Sequence, residues 1–252
     1  MSRVYWLEAK FEVLKLVRMK QYALSTLLFP MMFYAFFGLA TGWKSPGSLS
    51  AAKYLLATYG AFGVVGATLF AFGTGVAVER GLGWLQLKRT SPMPMAAYFA
   101  AKAAASACFG AAVVVLLFSM GALLGDVRMP AAQWLTLGGA LIAGAIPFCA
   151  LGLAIGNLVG PNSAPGIVNL IYLPLGFLAG LWIPIDFLPK GIQAVAPYLP
   201  TYHFAQIALS ILHARSAKGS VAVHVLALAG FTVLFAVIAW LGQRRENEKM
   251  YG

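Results

Sequence analysis

The chain reads as an all-α polytopic membrane protein: six transmembrane helices, an N-terminal interfacial helix and a re-entrant helical segment before the last span. Three observations predict this. Hydrophobic residues are 61% of the 252 residues and charged residues only 10%, whereas soluble domains carry about 25% charged residues. Mean hydropathy is +0.81. The apolar residues gather into long runs of roughly 20 residues, the length that carries an α-helix across a ~30 Å hydrocarbon core.

Residues 1–21 are mixed, with Val4, Leu7, Phe11 and Leu14 at helical spacing among Glu8, Lys10, Glu12 and Lys15. That pattern predicts a helix lying in the membrane interface. These charges also argue against a cleavable signal peptide. The predicted spans are 22–42, 54–78, 99–124, 134–159, 164–183 and 221–241. Between the last two, Pro184, Pro189, Pro197 and Pro200 divide an apolar stretch, 184–220, into short pieces. Short helices dipping back into the bilayer fit that stretch, since irregular backbone is tolerated there only when protein or water covers it. Little else remains, so 1–252 is read as a single transmembrane domain.

The net charge of +11 does not point to nucleic acid. Lys and Arg cluster at the ends of apolar runs, where they set orientation and meet anionic headgroups of membrane lipids. With six spans, twelve of the 18 basic residues fall on the side of the two termini and the 79–102 loop. The bias places that side in the cytoplasm.

Little in the chain points to catalysis. The seven acids, Glu8, Glu12, Glu79, Asp126, Asp186, Glu246 and Glu248, lie at or outside span ends. Ion-coupled transport usually places an ionisable group mid-span. His203, His213 and His224 lack metal-ligand spacing, and Cys108 and Cys149 read as packing residues inside spans. No catalytic residue, metal site or phosphate-binding loop is expected. Gly152, Gly156 and Gly160, and Gly176 with Gly180, are spaced for close helix approach. Packing within the chain is the first reading of these steps and a dimer seam the second.

The segment 79–98 is different. Glu79 and Arg80 stand at the end of the second span, and Gly81 and Gly83 permit a bend. Leu82, Trp84, Leu85 and Leu87 give an apolar face before Lys88 and Arg89, and Ser91-Pro92 stops the helix. A short amphipathic helix is predicted. If Glu79 is buried it needs a paired cation. If it is exposed, a pair there is worth only about 0–1 kcal/mol.

These residues resemble the permease subunits of type-2 ABC exporters. In that family the second span ends in an acid–base pair, followed by a Gly, a Leu and a Pro; here Glu79, Arg80, Gly83, Leu87 and Pro92 match. A late segment of the family matches Gly180, Pro184, Leu188, Pro189, Pro197 and Tyr202. Gly81 stands where many members have an acid. The resemblance implies a bacterial inner-membrane permease with both termini cytoplasmic. It pairs with a cytoplasmic ATPase subunit that binds ATP and Mg, and with a second permease copy. It makes 1–21 a connecting helix and 79–98 the coupling loop. The chain itself is then not an enzyme and holds no cofactor. An exported hydrophobic or amphipathic molecule (drug, antibiotic or lipid) fits the uncharged spans. Phe62, Phe70, Phe72, Tyr172 and Phe177 are candidates to line its path. An ion-coupled secondary transporter and an intramembrane lipid-modifying enzyme are the alternatives.

The orientation has a direct check. Reporter fusions at Gly47 and at the C-terminus are expected on opposite sides of the membrane; the same side for both would overturn the six-span arrangement.

Overall fold

The computed structural model describes residues 2–40 and 49–251. The helix α1 (Ser2–Arg18) is joined to α2 (Lys20–Ala40) through Met19. Met19 leaves the helical region (φ −78°, ψ 80°), so the chain turns there. The end of the first predicted span, 41–42, the connection through Lys44 and the fusion point Gly47 lie outside the described residues.

Next come α3 (Ala51–Gly81), the short α4 (Trp84–Thr90), α5 (Met95–Leu123) and α6 (Ala131–Leu158). The chain closes with α7 (Ala164–Leu178), α8 (Lys190–Val195), α9 (Pro200–Ile211) and α10 (Val221–Tyr251). Five of these, α2, α3, α5, α6 and α10, are long and apolar enough to cross a bilayer. The protein is an all-α polytopic membrane protein.

The fifth predicted span, 164–183, is shorter as a helix than its apolar run. With 15 residues, α7 rises only about 22 Å at 1.5 Å per residue. Gly180 stops it by adopting φ +77°, which glycine alone accepts readily. Leu181 N–H then donates to the Gly176 carbonyl at 3.0 Å and Gly180 N–H to that of Phe177 at 3.1 Å. This bond pattern closes a helix by satisfying its last carbonyls.

α3 is the axis of the molecule. Of its most apolar stretch 78% is buried, against 11% for α10. α2, α5, both halves of α6, α7 and α9 all pack on it. Close approach explains part of its glycine content and that of α6. A Cβ on Gly156 would stand 2.8 Å from Val76 Cβ and 3.0 Å from the Phe72 carbonyl, and one on Gly152 2.7 Å from Phe72 Cβ. Gly160 meets nothing within 4 Å. Gly152 and Gly156 therefore serve packing within the chain, and Gly160 lies beyond the end of α6.

The segment before α10 folds into short helical pieces. Ile185–Phe187 and Ala196–Tyr198 are single 3₁₀ turns, with α8 between them. α9 is wedged against α3, the first half of α6 and α10. Its Phe204 enters the break in α6, where a Cβ on Gly144 would collide with the ring at 2.1 Å, and packs on Phe148 at 5.7 Å. The α9 carbonyls and hydroxyls are also tied in: Gln133 donates to Ile211 O at 2.7 Å and Thr201 to Leu175 O at 2.8 Å.

The glycine contacts predict a contrast. Gly156→Leu should lower thermal stability in detergent by about 1–3 kcal/mol through overpacking against Val76, whereas Gly160→Leu should leave the melting temperature unchanged. Equal effects would mean that α3 and α6 are not packed as described.

Candidate functional site: a buried charge cluster beside an open cavity

Four charged side chains from three helices meet in the interior: Glu12 and Lys15 of α1, Glu79 at the end of α3 and Lys102 of α5. Glu12 is 5% exposed, Glu79 4% and Lys102 1%. Lys15 bonds both oxygens of Glu12 at 2.6 and 2.7 Å and also reaches Glu79 Oε1. Lys102 Nζ donates to Glu12 Oε1 at 2.8 Å and to Glu79 Oε1 at 3.1 Å. Tyr98 O–H donates to Glu79 Oε2 at 2.5 Å. Its ring also lies under the Lys102 ammonium at 5.1 Å, a favourable cation–π arrangement.

Two carboxylates and two ammoniums cancel, which is the condition for keeping such charges out of water. Burial pulls the Lys15 ammonium down, but the nearby Glu79 and Glu12 charges outweigh it and hold Lys15 above the ordinary lysine value.

The spacing of these residues follows from the helices that carry them. Glu12 and Lys15, three apart, share one face of α1. That face turns inward, so the apolar stripe faces outward: Phe11 is 61% exposed and Val4, Leu7 and Leu14 are also exposed. A helix that turns Glu12 and Lys15 inward while Arg3, Lys10 and Arg18 stay exposed beside its apolar side chains suits the interface of a bilayer.

The five coupling-loop residues divide into two groups. Glu79 and Arg80 point into the helix bundle. Arg80 donates to the carbonyls of Asn157 and, at 2.8 Å, of Val159, closing the end of α6. Asn157 in turn donates to Ala239 O of α10 at 2.9 Å, so the ends of α3, α6 and α10 are linked. Gly83 takes φ +74° and starts α4. Leu87 (73% exposed) and Pro92 lie on the outside. Buried Leu85 anchors α4 against Phe72, Val76 and Tyr98. Lys88 pairs with Glu8 of α1 and sits over the Tyr98 ring at 4.8 Å. Leu82, Trp84 and Leu87 are left as an exposed apolar patch.

Beside the cluster lies a cavity of about 960 Å³ between the α1–α2 joint, α3, α4 and α7. Of the four residues expected along a substrate path, Phe70 and Tyr172 line it and Phe62 and Phe177 do not. Phe62 backs Tyr172, their rings stacked at 4.3 Å, and Tyr172 O–H donates to the Phe62 carbonyl at 3.1 Å. Phe177 packs on Trp182 at 6.2 Å. Phe72, the fifth aromatic considered, is buried against Gly152. Phe70 and Thr74 face the cavity from a π-helical stretch, Phe70–Thr74, in mid-α3. Such stretches recur at functional sites.

Sequence reasoning missed Lys102, Glu12 and Tyr98 as site residues. In the sequence Lys102 counts only among the basic residues of the 79–102 loop. It stands seven positions inside α5 among alanines, and a lone cation so placed requires a carboxylate partner; that was the available signal. The histidines were also set aside. His203 of α9 and His224 of α10 face each other, Nδ1 to Nδ1, at 2.9 Å. His224 Nε2 lies 2.6 Å from the Lys218 carbonyl. A carbonyl only accepts, so Nε2 carries the proton and the Nδ1 of neutral His224 accepts from His203. Burial is the main cause that holds His203 below the ordinary histidine range.

A multi-pass helical bundle with an exposed amphipathic loop helix and an internal cavity defines a membrane transport protein. Residues 3–213 match the model of the ABC-2 type transporter family, and the chain belongs to that family as a permease subunit of an ABC transporter. It is similar to a protein of Bacillus subtilis (strain 168) described as "Putative transport permease YvfS". The two are 27% identical over 236 residues, 94% of this chain and 95% of the other.

The cluster makes a stability prediction. Glu79→Ala leaves buried positive charge unmatched and should cost roughly 3–5 kcal/mol without preventing membrane insertion. Combining Glu79→Leu with Lys102→Met removes one charge of each sign, and the double variant should melt above either single. Additive losses in that cycle would mean that the two residues do not interact.

Proposed function

We propose that the chain is the membrane half of an ATP-driven exporter. A separate cytoplasmic ATPase subunit binds ATP and Mg and docks on α4 and α1, and two permease copies form the transport unit. Both termini are cytoplasmic and the membrane is the bacterial inner membrane. The cargo is hydrophobic or amphipathic (drug, antibiotic or lipid), and it loads into the cavity lined by Phe70 and Tyr172.

The observation that carries this reading is the way α4 is held. Its exposed side offers Leu87 to a partner, while Trp84, and Leu82 just before the helix, are exposed where they also line the cavity. Its inner face is locked to α1 through Lys88–Glu8 and to α3 and α5 through Leu85 and Tyr98. Glu79 then connects α1, α3 and α5 by charge. A displacement of α4 is therefore passed to the helices that wall the cavity. Coupling runs through packed, charge-linked elements and needs no flexible tether. Family membership favours this over an ion-coupled carrier. The cluster agrees, since its two carboxylates are already matched by two ammoniums.

Leu87→Asp tests the docking face. Leu87 is exposed, so the change should alter stability by no more than about 0.5 kcal/mol. It should nevertheless abolish co-purification with the co-expressed partner ATPase subunit and stop substrate-stimulated ATP hydrolysis. The purified permease alone should hydrolyse no ATP. Normal assembly of Leu87→Asp would remove α4 as the docking element.

A further inference from the structure

The cavity differs sharply from end to end. At the α1–α2 joint it is bordered by Lys15, Arg18 and Lys20, with Glu79 the one acid among its lining residues. Glu79 is already held by Lys15, Lys102 and Tyr98. Arg18 and Lys20 are exposed, and none of the ion pairs among the described residues involves them. The mouth therefore carries two unneutralised positive charges. From there the walls become apolar. Phe29 and Pro30 lie about ten residues along α2 from Lys20, a depth of roughly 15 Å at 1.5 Å per residue. Phe70 and Tyr172 close the inner end. Ser25, Thr26, Thr74 and Asn169 add polar groups to the lining, and the buried Thr74 hydroxyl has no hydrogen-bond partner among the described residues; Tyr22 and Tyr172 have their hydroxyls turned to the carbonyls of Ala67 and Phe62.

Resting on the reading of this cavity as the loading site, we infer that its cargo is an anionic amphiphile. A phosphate or carboxylate head is held by Arg18 and Lys20, and a single apolar tail lies between α2, α3 and α7. Charge complementarity selects the head. A cationic amphiphile would meet like charge at the mouth, and a molecule polar at both ends would bring unpaired polar groups against Phe29 and Phe70, which is unfavourable. A volume of about 960 Å³ lies at the upper end of the usual range for ligand pockets, about 300–1,000 Å³.

The test uses the full chain in nanodiscs of zwitterionic phosphatidylcholine. Three photoreactive amphiphiles share one diazirine-bearing alkyl tail and differ in head: phosphate, maltoside or trimethylammonium. Labelled peptides are mapped by mass spectrometry. The phosphate probe should label the α3 and α7 segments around Phe70 and Tyr172 at least about tenfold more than the trimethylammonium probe, a preference set by two basic side chains. Added salt should weaken the preference. R18E/K20E should reverse it, while R3E/K10E, altering exposed charges on α1 away from the mouth, should leave it intact.

Equal labelling by all three probes would overturn the anionic assignment and leave the loading cavity standing. An equal loss in R3E/K10E would also overturn it, as attraction to the membrane surface alone. No tail labelling at Phe70 or Tyr172 by any probe, or cross-linking of this region to a second copy of the chain instead, would remove the cavity reading itself. Unchanged melting temperatures of the charge variants keep these outcomes separate from misfolding.

Discussion

The structure depends on a charge-neutral cluster held out of water. Each of its ions would be costly alone at that depth. Together, two ammoniums, two carboxylates and one phenol satisfy one another over 2.5–3.1 Å bonds, with the still closer Lys15–Glu79 contact among them. The arrangement works only as a set, because removal of any of its four ions leaves a charge without its counterpart and removal of the phenol leaves Glu79 Oε2 without its donor. It thereby fixes where α1 lies. Most of its apolar stripe is turned outward, and the helix is held on the bundle by its charges together with Leu16 and Val13, which pack against Ala67, Ala71, Ala105 and Phe109.

Other features follow from that placement. With α1 clamped to α5 and the end of α3, Glu8 is in position to hold Lys88, and α4 is pinned on one face and free on the other. The turn at Met19 then sends α2 away from α1 and leaves space between them and α7. The π-helical stretch of α3 turns Phe70 and Thr74 to that space. Cavity, loop helix and interfacial helix are consequences of one electrostatic junction and one irregular turn of helix.

Much of the fold was legible in the residues. Apolar run length located every helix that crosses the bundle. The four prolines of 184–220 marked its subdivision into short pieces, although the depth of α9 between α3, α6 and α10 was not visible. Gly83 announced a bend and takes positive φ, whereas Gly180, read as a close-approach position, ends α7 at positive φ. The 79–92 motif marked the loop that carries α4. It did not show that its first two residues face inward and that Leu87 and Pro92 face outward, since a motif has spacing but no surroundings. The aromatics read as path candidates divide for a similar reason, with Phe70 and Tyr172 on the cavity and the others off it. Phe62 and Phe177 lie on the helices that wall the cavity, but the stacking of Phe62 behind Tyr172 depends on how α3 crosses α7.

Sequence by itself determined the solvent, the helices, the basic bias of their ends and the loop that carries the family motif. Each of these is a local property, set by composition or by periodicity along one segment. Tertiary structure alone decided which charges pair. Lys102 meets a carboxylate 90 positions away in Glu12, and Glu79 meets an ammonium 64 positions away in Lys15. The meeting of His203 with His224 and the contact of Gly156 with Val76 were decided in the same way. Such pairs depend on the crossing angles and rotations of separate helices, and helix periodicity places a residue on a face without saying which neighbour that face will find.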